Sequence, residues 1–122
     1  MKKVLVIEDN KQVAMALTVR LKSAGYQVIT VYDAMMAVSM AVKHQPDLAL
    51  IDIALPAGNG LWVAERMREL APMAGMPMIF LTASKKPGLR ERATELGAAA
   101  FFEKPYEADL LMASVRMALG EE

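Results

Sequence analysis

The chain has 122 residues, 55% hydrophobic and 23% charged, the profile of one globular domain around a single core. Its 14 basic and 14 acidic residues cancel, which argues against a dedicated nucleic-acid binder, since such proteins carry a basic excess. Cysteine is absent, which excludes disulfides, thiolate metal sites and cysteine nucleophiles.

The basic start "MKKVLVIEDN" loses its apolar run at Glu8, too early for a signal peptide. The uncharged run Ala71 to Ser84 contains two prolines and a glycine and is too short to span a bilayer. A cytoplasmic domain is expected.

Lys3 to Ile7 reads as the first strand, and it ends in the adjacent acids Glu8 and Asp9. Like charges at the mouth of a core repel and resist desolvation, so a basic side chain, water or a cation should neutralise them. Asn10 to Ala24 spaces Val13, Ala16, Leu17, Arg20, Leu21 and Ala24 as a helix, with Gly25 to stop it. "YQVITV", Tyr26 to Val31, is the second strand, and Asp33 is a good N-cap for a helix through about Lys43. "DLALID", Asp47 to Asp52, is the third strand; the turn "LPAGNG" and a helix over Leu61 to Leu70 follow. "PMIFL", Pro77 to Leu81, is the fourth strand, before a helix over Pro87 to Leu96 stopped by Gly97. "AAAFF", Ala98 to Phe102, is the fifth, and Glu107 to Leu119 closes the chain as an amphipathic helix.

Strands this apolar, alternating with helices, imply an α/β fold whose parallel sheet is covered on both faces. Ligands of such sheets sit outside the carboxyl ends of the strands. Glu8, Asp9, Asp52, Thr82 and Lys104 all fall at or just after those ends. Magnesium takes oxygen ligands and uses few carboxylates, which suits Glu8, Asp9 and Asp52. Asp52, ending a buried strand, can act as a nucleophile toward phosphorus, and the cation would stabilise the charge on the transferring group. Lys104 can pair with one phosphoryl oxygen, and Thr82 can donate to another. Pro105 stiffens the backbone that presents the amine and is a candidate cis residue.

Plainer readings compete at each position. Asp52 taken alone is a turn cap, Lys104 a surface lysine, and Thr82 a β-branched strand residue. "GNG", Gly58 to Gly60, fails as a dinucleotide fingerprint: Val63 takes the third glycine's place, and the first strand–helix turn holds no glycine. His44, the only histidine, excludes His-rich metal sites and is expected to face water near a helix end. The eleven methionines read as core filler rather than soft-metal ligands. Lys85, Lys86, Arg90 and Arg92 read as a solvated helix face, with an acidic docking partner as the alternative.

From Lys3 to about Leu119 the chain resembles the receiver domain of two-component response regulators, including single-domain members typified by the bacterial chemotaxis regulator. "VLVIEDN" is similar to the family's first strand and acidic pair. "DLALIDIALPAGNG" carries its Asp-x-x-x-Pro-x-x-x-Gly pattern at Asp52, Pro56 and Gly60. "FLTAS" carries the strand-four threonine, and "ATELGAAAFFEKPYEADLL" is similar to the Gly-Ala…Lys-Pro segment. Glu8, where Asp is frequent, and Leu55, where Met is common, depart from the pattern.

The resemblance implies a flavodoxin-like, doubly wound sheet of five strands in the order 2-1-3-4-5, one receiver domain over residues 1–122. It implies Asp52 as phosphoacceptor, with Glu8, Asp9, Asp52 and the Ala54 carbonyl holding magnesium, or manganese in its place. Thr82 and Lys104 would contact the phosphoryl group, Phe101 would be a switch aromatic, and Gly60 and Pro105 would shape the backbone. Ala54 and Ser84, two positions after Asp52 and Thr82, would tune dephosphorylation. The phosphodonor would be a histidine kinase or phosphotransfer protein. The output would be a protein target or a homodimer through the fourth helix, fifth strand and fifth helix, with no nucleic acid or membrane contacted directly. Such a domain is a regulatory switch, catalysing only its own phosphorylation and dephosphorylation. The alternative is a small phosphohydrolase of haloacid-dehalogenase type. Its nucleophile would follow the first strand in an Asp-x-Asp pattern, where this chain has Glu-Asp-Asn.

Overall fold

The computed structural model describes residues 1–55 and 58–121. Strands β1 (Lys3–Ile7), β2 (Gln27–Val31), β3 (Leu48–Asp52), β4 (Met78–Thr82) and β5 (Ala100–Glu103) form one sheet in the order β2-β1-β3-β4-β5. Every pairing in it is parallel. Helices α1 (Lys11–Ser23), α2 (Ala34–His44), α3 (Gly60–Arg68), α4 (Leu89–Glu95) and α5 (Ala108–Ala118) cover both faces. The doubly wound, flavodoxin-like fold is the one the sequence implies.

Alternation divides the core. Leu5, Ile7, Ala49, Ile51, Met78 and Phe80 face one way, against Ala37 and Ala41 of α2 and Ala64 and Met67 of α3. Val4, Val6, Leu48, Leu50, Ile79 and Leu81 face the other, against Leu17 and Leu21 of α1 and Leu111 and Val115 of α5. Every residue of β3 is buried, so a continuous apolar run drives this central strand inward. Asp52 is carried in at its end.

Several local expectations need correcting. In α1 the buried positions are Ala14, Leu17 and Leu21, while Ala16 and Arg20 are exposed. His44 is half-buried at the end of α2, where its carbonyl accepts from Lys3 Nζ at 3.0 Å. Methionine fills the core at Met67, Met73, Met76, Met78 and Met112, but Met15, Met35, Met36 and Met117 are exposed. The turn "LPAGNG" is flanked by a two-stranded antiparallel ribbon, Ala54–Leu55 with Gly58–Asn59; Pro56 lies outside the described residues. A short 3-10 helix over Ala71–Met73 follows α3. Helix α4 begins at Leu89 rather than Pro87, because Gly88 takes a left-handed φ of 88°.

The fifth strand begins two residues later than expected. Gly97 N–H donates to Thr94 O at 2.9 Å and Ala98 N–H to Ala93 O at 3.0 Å, with Gly97 at φ 80°. That is a Schellman closure, so Ala98 still serves α4. The N-terminal ends of α1, α2 and α3 are capped by asparagine and aspartate. Asn10 accepts from the N–H groups of Gln12 and Val13, Asp33 from Met36, and Asn59 from Trp62.

Gly60 positions the start of α3 against the end of β3. A Cβ there would meet the Asp52 carbonyl oxygen and lie 2.6 Å from Ile51 Cγ2. Backbone cannot yield as a flexible side chain would. We therefore expect Gly60→Ala to cost about 3 kcal/mol, the upper end for overpacking. The check is chemical denaturation, with the denaturant slope unchanged if the fold is kept.

Candidate functional site

The carboxyl edge of the sheet gathers acids from two strands. Glu8 follows β1 and is 1% exposed; Asp52 ends β3 and is 4% exposed; Asp9 is open to solvent. Each offers an oxygen within 4.8 Å of the others'. Local backbone supports the two buried acids. Asn10 N–H donates to Glu8 Oε2 at 3.1 Å, and Ala54 N–H donates to Asp52 Oδ1 at 3.1 Å. Each bond closes a two-residue turn that begins where the strand stops.

The remaining oxygens meet one cation. Lys104 Nζ donates to Glu8 Oε1 at 2.8 Å and to Asp52 Oδ2 at 3.2 Å. Lys104 follows β5, and its N–H donates to Thr82 O at 2.7 Å, which fixes the chain direction there. The Lys104–Pro105 bond is cis. Burial disfavours the ammonium, but the hydrogen bond to Glu8 and the charges of Asp52 and Glu8 outweigh it and raise its pKa above the ordinary lysine value. On the alkaline side, the Lys104 contribution to stability is complete below the ordinary lysine pKa and is lost as pH climbs through the raised value.

Thr82, fully buried, ends β4, between the strands that deliver Asp52 and Lys104. Its Oγ1 accepts from Ser84 N–H at 3.0 Å. Ala54 is exposed and Ser84 half-exposed beside this edge. Phe101 and Phe102 point to opposite faces, as alternation requires, but both are half-buried rather than full core residues. Phe102 lies 6.0 Å from the Tyr106 ring. The Arg90 guanidinium sits over Phe101, 4.6 Å from the ring centroid.

The structure thus draws Glu8, Asp9, Asp52 and Lys104 into one cluster, with Thr82 at the neighbouring strand end. Three carboxylates against one ammonium leave two formal negative charges. The set fits a hard divalent cation: oxygen donors, close together, partly desolvated and short of positive charge. Sequence reasoning missed Asn10, whose N–H holds Glu8 while its side chain caps α1. Asn directly before an apolar helical repeat was the available signal.

The family profile of the response regulator receiver domain matches residues 4–116. The chain belongs to that family. As a receiver it is 38% identical over 117 residues to the transcriptional regulatory protein DltR of Streptococcus agalactiae. That match covers 94% of this chain and 50% of DltR, so the receiver spans about half the length of the curated relatives it matches. The non-phosphorylated HemR receiver domain of Leptospira biflexa superimposes with a TM-score of 0.90 at 28% identity, covering 100% of this chain and 97% of that one. A CheY-like response regulator receiver domain protein of Methanospirillum hungatei gives 0.91 at 25%, covering 98% and 94%. Receivers work in two-component signalling, and the family implies exchange with histidine kinases or phosphotransfer proteins. Among the described residues no helix is long and apolar enough to cross a membrane.

Removing the Lys104 amine strands two buried carboxylates. Lys104→Met should destabilise the receiver by about 3 kcal/mol, the lower end for a broken buried pair because Lys104 is partly exposed. Adding Glu8→Gln should restore much of the loss. Thermal melts of the single and double variants, read as a double-mutant cycle, check the coupling.

Proposed function

We propose that this receiver is a phosphorylation-dependent switch that takes a phosphoryl group onto Asp52 from a histidine kinase or phosphotransfer protein. The observation that carries the reading is the acid cluster bridged by Lys104, with Asp52 buried at its centre. Glu8, Asp9, Asp52 and the Ala54 carbonyl would hold magnesium, or manganese in its place. That ion supplies positive charge against the acids and the incoming phosphoryl oxygens.

An Asp52 carboxylate oxygen attacks phosphorus, the phosphorus–nitrogen bond of the donor histidine breaks, and the imidazole leaves with the electron pair. Asp52 Oδ1 stays oriented by the Ala54 N–H. Lys104, already beside Oδ2, then pairs with a phosphoryl oxygen, and Thr82 turns its hydroxyl toward another. The vacated space admits Phe101, and the face built by α4, β5 and α5 changes shape for a protein target or a second receiver. A partner that prefers this arrangement by a few kcal/mol is enough to shift the population. On this reading the chain is no enzyme toward other substrates: it catalyses only its own phosphorylation and the return of Asp52 by water. The haloacid-dehalogenase alternative gains no support, because Asp52 ends β3 rather than following the first strand.

Incubation with acetyl phosphate and magnesium should give one acid-stable, base-labile adduct on Asp52, absent from Asp52→Asn. Asp9→Ala should abolish both the metal dependence and most of the labelling. Efficient labelling in excess chelator would count against the metal site. Hydrolysis of the adduct should be slow for this family, because the Ala54 methyl offers nothing to orient the attacking water. Ala54→Asn should speed the loss of label severalfold in a pulse-chase, whereas an unchanged rate places the control of water elsewhere, Ser84 first.

A further inference from the structure

Phe101 and Glu103 are two residues apart in β5 and so project to the same side of the sheet. Arg90, in the first turn of α4, lies on that side. Its guanidinium lies over the Phe101 ring at 4.6 Å, and its charge helps Lys85 hold the Glu103 carboxyl below the usual range. Lys85 Nζ meets Glu103 Oε2 at 2.8 Å, an ion pair between β5 and the segment that leads into α4. Beside them is a cavity of about 230 Å³ lined by Ser84, Pro87, Leu89, Arg90, Phe101 and Glu103 among others. The entry to α4 has little else to fix it: Gly88 supplies no side-chain cap, and the helix has only seven residues.

We propose that Arg90 is a positioning residue that clasps Phe101 in its present, half-buried place, with the negative charge of Glu103 favouring the guanidinium on that side of β5. It rests on the reading of Asp52 as phosphoacceptor and Phe101 as the switch aromatic. A cation over an aromatic face is stabilising, and a ring moving inward leaves it. The clasp therefore biases the unphosphorylated receiver toward the outward state, and it takes the role that a hydroxyl hydrogen bond could play were residue 101 a tyrosine. Its location makes α4 part of the balance: the contact can break by ring movement or by displacement of the helix entry.

The test compares wild type, Arg90→Gln and Arg90→Lys, titrated with beryllofluoride in the presence of magnesium and followed by the ring-proton shifts of Phe101. Arg90 is exposed, so the variants keep the core intact. A weak surface cation–π contact corresponds to about a two- to fivefold bias. Arg90→Gln should bind beryllofluoride tighter by that factor, and its free-state ring signals should move toward the bound position. Arg90→Lys, which keeps the charge, should fall between, and Glu103→Gln should follow Arg90→Gln in weaker form. If the wild-type ring moves on binding but Arg90→Gln changes neither ring position nor affinity, the clasp is wrong and the switch reading stands. If beryllofluoride binds and the wild-type ring keeps its place, the switch reading of Phe101 falls and takes the clasp with it. No beryllofluoride binding to wild type removes the phosphoacceptor reading itself.

Discussion

The bridge from Lys104 to Glu8 and Asp52 is the contact on which this architecture turns. Burying a carboxylate costs several kcal/mol unless it is paired and hydrogen-bonded, and this fold buries two. Apolar strands dictate that burial: β1 is buried from Val4 onward and β3 along its whole length, so Glu8, next after β1, and Asp52, at the end of β3, are carried in with them. Half of the compensation is local, through the N–H groups of Asn10 and Ala54. The other half comes from the far side of the sheet. One ammonium cannot balance three acids, so the stabilised fold is also an unfinished charge balance, open to a further cation and sensitive to any change on Asp52.

Sheet order explains why a lysine is needed to make that bridge. Three strand spacings of about 4.8 Å separate β1 from β5, with β3 and β4 between them. A long amine reaching in and a glutamate reaching out close that gap. Glu8 is one methylene longer than the aspartate the family often carries, and here it makes the shorter of the two contacts, 2.8 Å against 3.2 Å for Asp52. Thr82, at the end of the intervening β4, accepts the Lys104 N–H at its carbonyl and so fixes where that side chain starts. Gly60 does similar service behind Asp52, since any side chain would push α3 away from the end of β3.

The sequence made the strands and the edge cluster readable for one reason: a parallel sheet needs apolar runs, and charges interrupting them stand out. Contacts resting on geometry beyond the sequence neighbourhood stayed hidden. Arg68 is an example. Its guanidinium donates to the carbonyls of Leu96, Ala74 and Met76, tying α3 to the chain entering β4 and to the end of α4. Its acceptors are backbone atoms, which carry no residue signature. The late start of β5 was hidden likewise, because "AAAFF" is equally apolar whether Ala98 pairs in a ladder or closes a helix.

Helix α4 then emerges as the element least committed to one position. It has seven residues, one fully buried side chain, Ala93, and a glycine at its entry. Its sides are held by charge: Arg92 to Glu65 of α3 and Arg90 over Phe101, with the Arg68 guanidinium holding Leu96 at its end. Exposed ion pairs are each worth about 1 kcal/mol or less, far below the apolar burial that fixes α2 and α3. The apolar hold of α4 on the core is small: Ala93 is buried there, and Leu89 and Leu96 pack against it in part. The buried charge cluster sits at Asp52 and the loosely held helix follows β4, whose last residue is Thr82. The direct covalent link between this edge of the sheet and α4 is therefore a single strand end and the short segment after it.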